Sequence, residues 1–119
     1  MNEKNPEKDR ARRTVEWCFL QRLCALSLRA NLRQEYCAKP LATSFTDLAN
    51  QIVFEEICAL SKPHHPRPAN ELREHLPARV TARGFPDLDF LDLLATPALL
   101  PEDAETHLHQ AYQRLLGIV

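Results

Sequence analysis

Apolar positions along the first third of the chain recur at helical spacing, not strand spacing. From Asp9 to Cys37 there is neither proline nor glycine, and the segment is predicted to form one long helix. At about 100° per residue, Val15, Phe19, Leu23, Leu26, Ala30 and Cys37 fall on one side. Trp17, Leu20, Cys24 and Leu28 fall on the opposite side. An ordinary surface helix carries a single apolar stripe. Two stripes between Trp17 and Leu28, interrupted by Gln21, Arg22 and Ser27, predict either the central helix of a bundle or a helix shared with another chain. Beyond Asn31 the outer side turns polar at Gln34 and Glu35, so the second stripe extends for about three turns.

Lys39-Pro40 ends this helix, because the residue before a proline is pushed out of the α region. Ser44 reads as the cap of a second helix from about Phe45 to Leu60, with Asp47 three residues on as in a capping box. Its stripe is Phe45, Leu48, Ala49, Ile52, Val53 and Leu60, widened by Phe54, Ile57 and Cys58. Three prolines between Lys62 and Pro68 predict a linker, residues 62–69, inside the domain. A short helix follows from Asn70 to Leu76, with another turn or two before Gly84. Pro86 is placed to open a helix carrying Leu88, Phe90, Leu91, Leu93 and Leu94, which Pro97 breaks. Pro101-Glu102-Asp103 starts the last helix with acids in the first turn, where the helix dipole favours them. Ala104, Leu108, Ala111, Tyr112, Leu115 and Leu116 form its stripe, down to Gly117.

Composition strengthens the helical reading. Only two glycines occur against nine prolines, so the material for β-hairpin turns is missing. The expected fold is all-α: one domain over residues 1–119, a bundle of four to five helices with a long N-terminal helix and a flexible arm at residues 1–9. The first and second helices should pair antiparallel, the last should close the core, and short helices at residues 70–95 should cap one end. No secretory leader and no membrane span can be read, which points to a cytoplasmic chain with reduced thiols.

The net charge of −1 hides an uneven layout. Residues 1–40 carry +4, 41–60 carry −3, 61–84 carry +3 and 85–119 carry −5. Either these blocks neutralise one another in the fold, or the ends present a basic arm and an acidic face to a partner.

Chemistry has few handles. Cys18, Cys24, Cys37 and Cys58 contain no Cys-x-x-Cys knuckle, and Cys18 and Cys24 diverge on one helix, so no metal and no cofactor are expected. His107 and His109 point to different faces, and His64 and His65 lie in the linker. No nucleophile elbow, phosphate loop or dinucleotide fingerprint is present, and the chain is expected not to be an enzyme. Lys8, Arg10, Arg12 and Arg13 could track phosphates, giving a nucleic-acid-binding regulator as the alternative, although Glu7, Asp9 and Glu16 interleave with them.

Protein recognition is the expected function: an adaptor, assembly factor, inhibitor or regulatory subunit acting through an apolar helical face. Its partner-binding residues would be Trp17, Leu20, Cys24, Leu28 and Tyr36, with homodimerisation through the first four as its most specific form. The leucine-dense acidic run from Asp87 to Leu94 resembles a groove-docking segment and adds Phe90 and Leu94.

Overall fold

The computed structural model describes residues 6–39, 45–61, 69–95 and 99–117. Their regular structure is helical throughout: α1 (Pro6–Leu23), α2 (Ala30–Cys37), α3 (Leu48–Leu60), α4 (Ala69–Ala82), α5 (Phe90–Leu93) and α6 (Pro101–Leu115). This is an all-α bundle with a long N-terminal helix, as the hydrophobic pattern predicts.

The first helix is shorter than its pattern. It stops at Leu23, and residues 24–29 form a turn before α2 resumes at Ala30. No proline or glycine causes the break. The carbonyls freed at the end of α1 find a buried cation instead: Arg33 Nε donates to Leu23 O at 2.9 Å, and Nη2 donates to Leu28 O at 3.3 Å and Ala25 O at 3.5 Å. Arg73 of α4 donates to the carbonyls of Cys24 and Leu94. Folding the chain back here buries Ala25 and Leu28, whereas Leu26 swings out to solvent. At its other end α1 begins at Pro6, so residues 6–9 of the expected arm are helical, and residues 1–5 lie outside the described residues.

The second predicted helix starts later than expected. Asp47, not Ser44, is the cap of α3: its carboxylate accepts from Asn50 N at 3.1 Å. Ser44 lies outside the described residues. Phe45 precedes the helix and is buried, while Leu48 is turned outward rather than joining the stripe. The linker also lies outside the described residues, except Ala69, which opens α4.

α4 is one continuous helix where two short pieces were expected, with Pro77 inside it. Leu72, Leu76 and Val80 recur every four residues and are fully buried, and that burial outweighs the one ladder bond the proline removes. Gly84, at φ 104°, closes the helix: Gly84 N bonds Thr81 O, and Phe85 N bonds Val80 O, satisfying the last carbonyls. α5 is a single turn capped by Asp89, whose side chain accepts from Asp92 N at 3.0 Å. It therefore starts four residues after Pro86. α6 runs as predicted, with Ala104, Leu108, Ala111 and Leu115 buried, while Leu116 is exposed.

α1 packs most extensively along α6, and α3 along α4. α1 and α6 are antiparallel, since Arg12 near the start of α1 donates to Leu115 O at the end of α6 at 2.7 Å. α4 lies along α3 instead of capping an end. Phe19 sits at the centre of the core, its ring 6.2–6.5 Å from those of Tyr36, Phe45, Phe54 and Tyr112. Two of the charge blocks neutralise each other directly: Arg79 and Arg83 pair with Glu56 at 2.6 and 2.7 Å, and Arg83 with Glu55 at 3.0 Å.

Candidate functional site

The second apolar stripe of α1 is covered from within the chain. Leu20 and Cys24 are wholly buried, and Leu28 and Tyr36 nearly so. A dimer through Leu20, Cys24 and Leu28 would require the bundle to open. Burial also pushes the Cys24 thiol up to about 12, outweighing the nearby Arg33 and Arg73 guanidiniums, so it is an inert core group at neutral pH. Tyr36 hydrogen-bonds His109 Nδ1 at 2.9 Å and meets Tyr112 edge-on at 5.2 Å. Lys39 Nζ stands 5.1 Å from the Tyr36 ring centroid.

Trp17 alone of that stripe reaches the surface. Its indole Nε1–H donates to Asp92 Oδ2 at 2.6 Å, and Gln21 Nε2 donates to Asp92 O at 2.9 Å. Asp92 thus pins α5 against α1. The docking segment read in the sequence does dock, but onto its own chain: Phe90 and Leu94 are half-buried against the core, while Leu91 points away and is 86% exposed.

Beside Trp17 lies an open hollow of about 270 Å³ between α1 and the start of α3. Trp17 and Leu88 give it an apolar lining, and Arg10, Arg13, Thr14, Asp47 and Asn50 complete it. A second, polar hollow of about 330 Å³ shares Arg13 and Asp47 with the first and adds Asp9 and Thr46. The side chains of Arg10 and Arg13 form no hydrogen bond or ion pair among the described residues.

Glu16, fully buried, holds the α3 side of this region in place. Its Oε2 accepts from Thr46 N at 2.8 Å, Thr46 Oγ1 at 2.9 Å and Arg12 Nε at 3.2 Å. Oε1 accepts from Asn50 Nδ2 at 3.1 Å. The carboxylate gathers the N–H groups of Thr46 and Asp47 just ahead of α3, where the helix dipole favours a negative charge. This arrangement splits the basic arm. Arg12 is spent inside the fold on Glu16 and Leu115 O, whereas Lys8, Arg10 and Arg13 stay at the surface.

Leu88, Asp92, Glu16 and Asn50 are the parts of the site that sequence reasoning missed. Asp92 and Leu88 lay in a segment already marked by its leucines. Glu16 read only as a charge diluting the arm, and nothing local distinguishes it from a solvated glutamate.

Elsewhere, α1 and α6 enclose a cleft of about 210 Å³ lined by Cys18, Arg22, His107, Gln110, Ala111 and Arg114. His107 Nδ1 is buried there without a hydrogen-bond partner among the described residues. Cys18 and His107 share the cleft, yet no hydrogen bond joins them into a nucleophile–base pair. No group of three or more His, Cys, Asp or Glu side chains converges on a metal position among the described residues. No helix among them is long and apolar enough to cross a membrane. No protein-family model matches the chain, and neither the curated proteins nor the solved structures contain a match.

Proposed function

We propose that this chain is a non-enzymatic protein-binding module that receives an apolar, acid-flanked segment of a partner in the Trp17–Leu88 hollow. The supporting observation is the hollow itself. An indole oriented by Asp92 and a leucine side chain form its lining, and two arginines free of ion pairs among the described residues stand at its edge. Tryptophan and arginine are the side chains that most often dominate binding energy at protein interfaces. An apolar side chain of the partner would fill the hollow, and a neighbouring carboxylate would meet Arg10 and Arg13. Adaptor, inhibitor and regulatory-subunit roles all use such a surface, and a cytoplasmic setting fits its thiol-bearing chain.

The nucleic-acid reading is weaker, because Arg12 is committed inward and Asp9 and Asp47 line the hollows beside Arg13. A photo-crosslinker at the exposed Thr14 tests the proposal in an extract of the native host. Protein adducts that disappear in the Arg10→Glu, Arg13→Glu double variant and persist through added salt would support it. Adducts to nucleic acid, or protein adducts indifferent to both substitutions, would overturn it. A phosphate-reading surface would lose binding steeply with salt, whereas an apolar contact responds weakly.

A further inference from the structure

The sequence separates Cys37 from Cys58 by twenty residues and offers no reason to join them. The fold does. Cys37 is the last residue of α2, and Cys58 lies in the last turn of α3. The Cys58 thiol donates to the Cys37 carbonyl at 3.7 Å, which brings the two cysteines side by side. Both residues are half-buried, so a small oxidant can reach them, and α2 packs directly on α3. The other two thiols contrast with this pair: Cys24 is sealed in the core, and Cys18 lines the α1–α6 cleft on its own.

We propose that Cys37 and Cys58 form a reversible oxidation site, closing to an intrachain disulfide that ties α2 to α3 when the chain meets a hydroperoxide. Cys37 sulfur attacks the terminal peroxide oxygen. The O–O bond breaks, the alcohol (or water, from hydrogen peroxide) leaves, and Cys37 becomes a sulfenic acid. Cys58 sulfur then attacks the Cys37 sulfur, and hydroxide leaves with the Cys58 proton as water. Two thiols are oxidised by two electrons and one peroxide is reduced. A dithiol reductant reverses the change by thiol–disulfide exchange. The sulfurs must close to a bond of about 2.05 Å.

The order of events follows from the surroundings of Cys58. The Cys37 hydrogen bond, burial and the charges of Cys37 and Glu55 together push its thiol well above the ordinary range. Cys58 therefore stays protonated while free and reacts poorly with peroxide by itself, which leaves Cys37 as the sulfur oxidised first. The cross-link closes a loop across residues 38–57, a constraint on the unfolded chain. The site works without any partner and does not depend on the hollow near Trp17.

The test exposes the full-length chain to stoichiometric hydrogen peroxide and follows intact mass and a non-reducing peptide map. The expected product loses two hydrogens, carries a Cys37–Cys58 linked peptide pair, and reverts with dithiothreitol. Its Tm should rise by about 5–10 °C. Cys37→Ser and Cys58→Ser should each abolish the link, and Cys18→Ser should leave it intact. Should the serine variants fold poorly, differential alkylation of the wild-type chain gives the same answer, because oxidation should protect Cys37 and Cys58 together. Independent oxidation of the two thiols, a dominant Cys18-linked dimer, or a linked product with an unchanged Tm would overturn the proposal.

Discussion

Glu16 and Arg33 are both fully buried charges, and they serve opposite ends of helices. Glu16 places a carboxylate at the start of α3, and Arg33 places a guanidinium at the end of α1. Each sign matches the helix dipole it meets. Their surroundings differ. Glu16 is held by a mixture of backbone N–H, hydroxyl, amide and the Arg12 guanidinium, so its charge has an ionic partner. The hydrogen bonds of Arg33 go to three backbone carbonyls, and burial lowers its pKa despite the nearby Cys24 and Cys37. The lesson is that a buried charge can be retained to end a helix as well as to begin one. The cation that ends it works with backbone dipoles in place of a counter-ion.

The largest expected effect is at the cation. Arg33→Met fills a similar volume and removes the side-chain donors of the Leu23 and Leu28 carbonyls inside the core, while Ala25 O keeps its bond from Leu28 N. It should cost about 3–4 kcal/mol, read as a lower midpoint in urea unfolding. A loss below about 1 kcal/mol would mean that packing around Leu28, not Arg33, holds the break after Leu23.

Glu16→Gln should cost less, about 2 kcal/mol, because one amide oxygen still accepts while the amide nitrogen faces donors. A cost above that of Arg33→Met would reverse the comparison. Asp47→Ala tests the cap that shares the α3 N-terminus with Glu16. About 1 kcal/mol is expected, with the hollow beside Trp17 loosened because Asp47 lines it. Amide hydrogen exchange at Asn50 would show that loosening, and unchanged exchange would assign the whole N-terminus to Glu16.

The smallest effect separates these charges from a buried carboxylate whose arginine partners are exposed. Burial raises the Glu56 pKa, but the hydrogen bonds and charges of Arg83 and Arg79 outweigh it and hold the carboxyl below its usual value. A carboxyl with a depressed folded pKa binds fewer protons folded than unfolded. Its contribution is therefore complete above the unfolded pKa of about 4.3 and is lost as pH falls through the folded value. Stability measured from pH 6 downward should fall more gently in Glu56→Gln than in wild type. Parallel curves would show that the Arg79–Glu56–Arg83 cluster is too solvated to matter.

The last helix shows how much was legible. Proline at its first position, acids in its first turn, a continuous apolar stripe and glycine at its end all agree, and α6 forms where they say. Helix type was legible nearly everywhere, but boundaries were not. Ser44 reads as the cap by sequence pattern, with Asp47 as its capping-box partner, yet the side chain that bonds Asn50 N belongs to Asp47. The candidate site was legible only in part. Trp17 was marked as an interface anchor and Arg10 and Arg13 as part of a basic arm, and only the packing of α3 and Leu88 against α1 makes them one surface.

The opening stretch of the chain draws the dividing line. Its composition and spacing by themselves determined a helical, two-striped segment whose apolar residues would be buried, and Phe19, Leu20, Leu23, Cys24 and Leu28 are buried. Tertiary structure decided where that segment breaks, what covers its second stripe, which arginine of the arm is spent inside, and that Cys37 meets Cys58. The reason is one of scale. Helix propensities differ by tenths of a kcal/mol per residue, so with neither proline nor glycine from Asp9 to Cys37 nothing local marks the break. A buried guanidinium bonded to three carbonyls, together with the leucines it lets turn inward, is worth several times as much. Those contacts join residues five to ten positions apart across a turn, off the helical period, so the apolar pattern does not register them.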